Sequence, residues 1–341
     1  MDSENLIKNK IDVCITIDTE FSIGGAFGDP TKNTPVGLQN VYCNIKNKSH
    51  GLGFILDCFK RYEIEATFFV EALNKAYFGS KPMQEIVNQI LKSKQNVELH
   101  LHPVWQQIFT QDNWQSRIKE LQPNDSILTR TTEELDDLIS TGIENLTQWS
   151  GQKPNALRTG NLHCNTIVYD MMAKHDMNIS SNISLGTYFP PEEELQIASG
   201  SQKIGQITEF PVTSYKGIQI GNKQETKALT IIGSSFSEMK YILNYAWEQR
   251  ISPIVFLTHP FEYIKHYDDQ LNNGKPNKLT QNRLSNLCQY LYENDDKYRA
   301  TAINEISNYD IGNNSQIIKP PFSLGIKRIV ENKLSENIGY L

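Results

Sequence analysis

The stretch DVCITIDTE, residues 12–20, runs through apolar and β-branched residues and ends on two carboxylates, Asp18 and Glu20, spaced two apart. Such composition predicts a buried strand. Successive side chains of a strand point to opposite faces, so positions i and i+2 share a side. Val13, Ile15 and Ile17 then face one way, and Cys14, Thr16, Asp18 and Glu20 the other. Both acids lie on a single face, at the point where the strand leaves the core.

Working outward, strand-like runs recur at ATFFV (66–70), VELHLH (97–102), NALRTG (155–160), NISSNIS (178–184), ITEFPVTS (207–214), PIVFLTHP (253–260) and ATAIN (300–304). Between them, segments 53–62, 83–94 and 236–250 carry apolar residues at helical spacing. Thr131 with Glu134, and Ser235 with Glu238, read as capping boxes opening two further helical patterns. Alternation of strand and helix predicts an α/β fold with a parallel sheet. Seven or eight strands favour closure into a (β/α) barrel over an open doubly wound sheet. No Gly-rich dinucleotide fingerprint follows the first strand; GGAFGDP lies several residues beyond it and opens no convincing helix.

The expected organisation is an N-terminal extension (1–10), a barrel domain (11–309) and a peripheral C-terminal segment (310–341) with a final amphipathic piece. Loops at 22–50 and 103–130 are long enough to be functional, the second containing an aromatic segment from Trp105 to Trp114.

At 341 residues and 38% hydrophobic content the chain can bury a large core. A net charge of −6 with scattered basic residues argues against nucleic-acid binding. The five cysteines, Cys14, Cys43, Cys58, Cys164 and Cys288, include no CxxC pair, which fits a reducing compartment. No signal-like or membrane-spanning apolar run is found, and the expected location is the cytoplasm.

The two-residue phase places Glu98, His100 and His102 on the interior face of the third strand, Arg158 with Ala156 and Gly160 on the fourth, and His259 with Val255 and Leu257 on a late one. Barrel enzymes gather catalytic groups at the C-terminal ends of strands. Singly, each residue has a structural reading, such as half of an ion pair or a satisfied histidine. Two stacked imidazoles have few structural uses and point to a metal. His163 could line the mouth or be structural, and His50, His175 and His266 have no evident partner.

Two histidines and one carboxylate are a common catalytic zinc set; the divalent metal lowers the pKa of bound water to about 7 and polarises a carbonyl oxygen. A second carboxylate can accept the water proton, and His259 can protonate a departing amine. Such a site would hydrolyse an amide or ester.

These motifs resemble the polysaccharide deacetylases of the NodB-homology group, carbohydrate esterase family four. ITIDTE is similar to their first motif, VELHLHP to their histidine motif, LRTG to their arginine motif and FLTHP to their last, in the same order over roughly residues 11–305. The resemblance implies a distorted (β/α) barrel of about seven strands and metal-dependent removal of an acyl group from a sugar. It implies Asp18 as catalytic base, His100 as a metal ligand, Arg158 orienting the base and His259 as general acid. The usual adjacent acid pair is here split by Thr19, so Glu20 is taken as the metal carboxylate; the reverse assignment within the pair stays open. In most relatives the second metal histidine comes four residues after the first, which here is Val104, so His102 takes its place.

The expected activity is removal of an acetyl group from an N-acetylated sugar or oligosaccharide, in surface polysaccharide biosynthesis or modification. Two alternatives stand beside it. An amidase acting on a small nitrogen compound would have a closed pocket, whereas a glycan enzyme would have an open groove lined by Trp105, Trp114 and Tyr188. A catalytically degenerate barrel would bind a glycan or a partner without turnover.

Overall fold

The computed structural model describes residues 10–220, 223–266, 268–306 and 317–338. The main sheet contains β1 (Ile11–Thr19), β2 (Thr67–Glu71), β3 (Asn96–Leu101), β4 (Ala156–Thr159), β5 (Ile179–Ser180), β6 (Gln202–Ile204), β7 (Ile207–Glu209), β8 (Ile254–Thr258) and β9 (Tyr298–Ala300). Its order is β8-β1-β2-β3-β4-β5-β7-β6, parallel throughout except for the antiparallel pair β6–β7. β9 pairs with Ile11–Val13, on the edge of β1 that β2 leaves free before Thr16.

The sheet curls towards closure. At the seam between β7 and β8 the chain after β7 supplies backbone bonds: Thr213 N–H donates to Val255 O (3.0 Å), Leu257 N–H to Leu229 O (3.1 Å) and Ile231 N–H to Leu257 O (3.1 Å). This is the distorted (β/α) barrel expected, with the ring completed by loop backbone.

Two apolar layers result from the alternation. Val13, Ile15, Ile17, Leu99, Leu101 and Phe256 face the surrounding helices, while Cys14, Phe69, Ala156, Val255 and Leu257 fill the interior. The phase read from the sequence is therefore the observed one. The helices named here are α1 (Leu52–Arg61), α2 (Lys81–Lys92), α3 (Thr132–Ser150), α4 (Thr166–Lys174), α5 (Phe236–Gln249), α6 (Lys278–Glu293) and α7 (Phe322–Ile338). Both capping boxes are present, Thr131 with Glu134 on α3 and Ser235 with Glu238 on α5. Each satisfies two orphan backbone donors reciprocally.

Several expectations need correction. The run NISSNIS yields only the two-residue strand β5, because Ser181 and Asn182 are drawn into side-chain bonding instead of a ladder. ATAIN is not a strand: β9 ends at Ala300, and Ile303–Glu305 form a 3-10 turn whose first N–H bonds the Thr67 hydroxyl. A hairpin, Ser214–Ile220 with Lys223–Ala228, was not foreseen. Segment 22–50 holds a short helix, Leu38–Tyr42, and a small hairpin. Segment 103–130 folds as two short helices, Val104–Phe109 and Trp114–Leu121.

The last helix also departs from the expected amphipathic arrangement. α7 turns Arg328 inward to Glu238 (3.2 Å) and leaves Phe322 58% and Leu334 51% exposed, so its polar face meets the domain. The proposed N-terminal extension lies, but for Lys10, outside the described residues, as does the start of the C-terminal segment. Among the described residues no helix is long and apolar enough to cross a membrane.

Candidate metal and catalytic centre

At the C-terminal ends of β1, β3, β4 and β8 the interior faces change from apolar to polar. Asp18, Glu20, His100, His102, Arg158 and His259 converge there. Glu20 Oε2 lies 2.7 Å from His102 Nε2 and 3.2 Å from His100 Nε2, and the three ligand atoms all fall within 4.8 Å of one another.

The remaining ring nitrogens decide what this trio can hold. His100 Nδ1 sits 2.8 Å from Arg158 O, and since a carbonyl only accepts, Nδ1 carries a proton. In neutral His100 the Nε2 lone pair therefore faces the Glu20 carboxylate, acceptor against acceptor, unless a cation lies between them. His102 Nδ1 sits 2.5 Å from Asp125 Oδ2, the carboxylate–histidine arrangement that orients metal-ligating imidazoles. The donor set and its supporting bonds thus fit a divalent metal.

The electrostatics of the metal-free site agree. Burial alone would raise Glu20, yet the charge and hydrogen bond of His102 beside it hold it well below the usual carboxylate range. Burial opposes charging His102, but Asp125 and Glu20 on either side push it well above its ordinary value. Both shifts favour a charged His102 against an ionised Glu20 where no ion is bound.

Asp18 is placed differently. Its Oδ1 accepts from Arg158 Nη1 at 2.7 Å, and its Oδ2 lies 4.0 Å from His100 Nε2 and 3.9 Å from His259 Nε2. Arg158 is fully buried and multiply held. Nη1 also donates to Thr16 Oγ1 (2.8 Å), Nε to Ser181 O (3.0 Å) and Nη2 to Ser181 Oγ (2.7 Å), and the guanidinium lies 4.2 Å from the Phe69 ring centroid. A rigid fork of this kind leaves its carboxylate partner one orientation.

His259 Nδ1 is bonded to Glu262 Oε1 at 3.0 Å, and Glu262 Oε2 accepts from Thr258 Oγ1 at 2.7 Å. Burial disfavours the charged imidazole, but the hydrogen bond and charge of Glu262, helped by Asp18 and Glu20, raise its pKa to about 9. It is protonated at neutral pH with Nε2 turned to the site.

The sequence reading missed three carboxylates. Glu71, on the interior face of β2, accepts from the N–H groups of Leu73 (2.8 Å), Asn74 (2.7 Å) and His102 (3.3 Å), and burial raises it to about 8. The same i, i+2 test from Phe69 would have found it. Glu262 stands one 3-10 turn beyond His259, and Asp125 lies in a loop that carries no periodic signal.

Other expectations separate. His163 bonds Ser126 Oγ at 3.1 Å and packs on Tyr188. His175 is paired with Asp136 (2.8 Å) and His50 with Gln281 (3.3 Å), so both have partners that the sequence did not show. His266 donates to Asp268 O (3.0 Å) and lines the cavity over the site. The tryptophans are not an open stacking platform: Trp105 is 1% and Trp114 7% exposed, clustered with Phe109. Tyr188 is half-buried against His163.

Gly160 of LRTG has a packing reason. A Cβ there would stand 2.6 Å from His102 Nδ1, so the ring needs that position bare. Over the centre lies a cavity of about 400 Å³, reached between the loops after β1, β3 and β8.

Neither a protein-family model nor a curated protein sequence matches the chain. Among solved structures, a protein assigned as a polysaccharide deacetylase from Mycobacterium smegmatis superposes with a TM-score of 0.50 at 12% identity, over 90% of this chain and 96% of that one. A family 4 carbohydrate esterase pseudoenzyme from Bacillus anthracis gives 0.44 at 12% identity, over 92% and 71%. A family 4 carbohydrate esterase from Streptomyces lividans, in complex with acetate, gives 0.40 at 11% identity, over 83% and 89%. The chain has the fold of the polysaccharide deacetylases, and at 12% identity the match with the mycobacterial protein speaks for the fold alone.

Proposed function

We propose that this chain is a metal-dependent deacetylase of the NodB-homology group that removes the acetyl group from an N-acetylated sugar. The observation that carries the reading is the separation of the two acids of ITIDTEF. Glu20 meets both imidazoles, while Asp18 is turned to Arg158 through Oδ1 and keeps Oδ2 4.0 Å from His100 Nε2 and 3.9 Å from His259 Nε2. Glu20, His100 and His102 would hold a divalent ion, zinc by the chemistry of the donors. When bound, the ion supplies Lewis-acid activation of water and of the acyl oxygen.

The protein's own groups handle the protons. Asp18 Oδ2 accepts the proton of the attacking water, its orientation held by Arg158 at Oδ1. The water oxygen bonds to the acyl carbon, and the carbon–nitrogen bond breaks with its electron pair going to nitrogen. His259, charged through Glu262, gives the nitrogen its proton. The products are acetate and the free amine.

The test is acetate release from N-acetylated sugars, with and without chelator, by the parent and by Asp18→Asn. Loss of at least 100-fold in the variant with metal still bound is expected. Turnover of the metal-loaded variant at the parental rate would sink the mechanism.

A second reading, an amidase for a small nitrogen compound, is favoured by the modest cavity and by the withdrawal of Trp105 and Trp114 from the surface. Small acyl amides in the same acetate assay separate the two.

A further inference from the structure

We infer that the site takes a single acylamino sugar or the end of a short glycan, neutral or positively charged, in preference to the interior of a polymer or a phosphorylated sugar. The inference rests on the deacetylase reading and deepens it.

The first observation is a tie between two loops that contribute to the cavity lining. Gln270, in the loop after β8, donates from Nε2 to Gly24 O (2.5 Å) and to Thr34 O (2.8 Å), joining segments 246 and 236 residues apart in sequence. Gly24, at φ +59°, has no room for a Cβ, which would stand 2.6 Å from Thr34 O. The tie holds the loop after β1 to the loop that supplies Asp269 and Leu271 to the cavity lining, and so fixes that edge of the cavity. On another side, buried Trp105 and Val104 wall the cavity. At about 400 Å³ it lies at the small end of the range for ligand pockets, roughly 300–1,000 Å³.

The second observation is the charge of the lining. The lining carries the acids Glu20, Asp125 and Asp269 with the imidazoles of His102 and His266, and no lysine or arginine among the described residues. Phosphate and carboxylate groups are normally met by arginine or lysine forks. Glu20 and Asp125 are already bonded to the histidines, so a hydroxyl or ammonium of the ligand would meet Asp269. Asp269 stands over the Gly25 turn, where a Cβ would lie 2.8 Å from its Oδ2, and it forms no hydrogen bond among those found for the described residues. Its carboxylate is free to accept from a sugar.

The experiment measures binding of N-acetylglucosamine, glucosamine and N-acetylglucosamine 6-phosphate by calorimetry, on protein loaded with metal and stripped of it. It also maps which units of a chitin hexamer lose acetate. The neutral and amine sugars should bind at least tenfold tighter than the phosphate, and deacetylation should fall on a terminal unit. Asp269→Asn should weaken glucosamine three- to tenfold and the neutral sugar less. Gln270→Ala should admit internal units. Equal or tighter binding of the phosphate, parental attack on internal units, or no binding of any of the three overturns the inference. Acetate release from some other acyl compound would leave the deacetylase reading standing in that event. The expected binding order without acetate release would remove the reading and keep the pocket's specificity.

Discussion

His102 Nδ1 and Asp125 Oδ2 lie 2.5 Å apart, joining the residue just past β3 to a loop 23 residues further on. With Glu20 on its other nitrogen, His102 is gripped by two carboxylates and charged when no metal is present. Metal binding must expel that proton. Affinity should therefore rise with pH, by about tenfold per unit while His102 remains charged in the metal-free form. Asp125→Asn should weaken zinc or cobalt binding about 10- to 100-fold and flatten this slope. A slope and affinity unchanged in the variant, read by competition with a chelating dye, would show that Asp125 does not position the ligand.

Glu262 sets the charge of His259, and the sign of the pH effect follows. The folded-state pKa is raised to about 9 from an ordinary value near 6.5, so the stabilisation is complete below 6.5 and lost as pH rises through 9. Metal-free protein should lose melting temperature across that window, and Glu262→Gln should lose less. In the loaded enzyme the alkaline limb of kcat/KM should move to lower pH in Glu262→Gln, because the carboxylate that favours the charged imidazole is gone. An alkaline limb that does not move would exclude His259 as the acid.

Arg158 and Asp18 are both buried and share one hydrogen bond of 2.7 Å. Removing one partner leaves the other charged in the core, so Arg158→Ala should cost about 3–5 kcal/mol of stability. Arg158→Lys keeps the charge without the fork, and should fold while losing about 100-fold in kcat with metal affinity unchanged. Parental kcat in the folded lysine variant would argue that Arg158 is only structural.

Gly160→Ala puts a methyl 2.6 Å from His102 Nδ1. The ring must shift, at a cost of roughly 1–3 kcal/mol. Metal affinity should fall in parallel with melting temperature; stability lost without any loss of metal binding would place the accommodation elsewhere.

Much of the centre was legible in the chain because strand alternation is local. The two-residue phase of DVCITIDTE and VELHLH places Asp18, Glu20, His100 and His102 on inward faces whatever the rest of the fold does. The same rule reaches Arg158 and His259, and it would have reached Glu71. Capping boxes at Thr131 and Ser235 were equally readable, since each is closed within four residues.

What only the tertiary structure decided is how those groups are paired. Glu20, and not Asp18, meets both imidazoles because β1 and β3 are separated by β2 and the chain beyond β1 brings Glu20 across to them. Asp125 finds His102, and Gln270 finds Gly24, through loops whose paths depend on contacts distant in sequence. Trp105 and Trp114 turned inward for the same reason, with Phe109 between them as the partner that no periodicity announces. Thr19, which splits the acid pair, faces away from the interior side, so the strand keeps both carboxylates on one face and the surrounding loops give each a different partner.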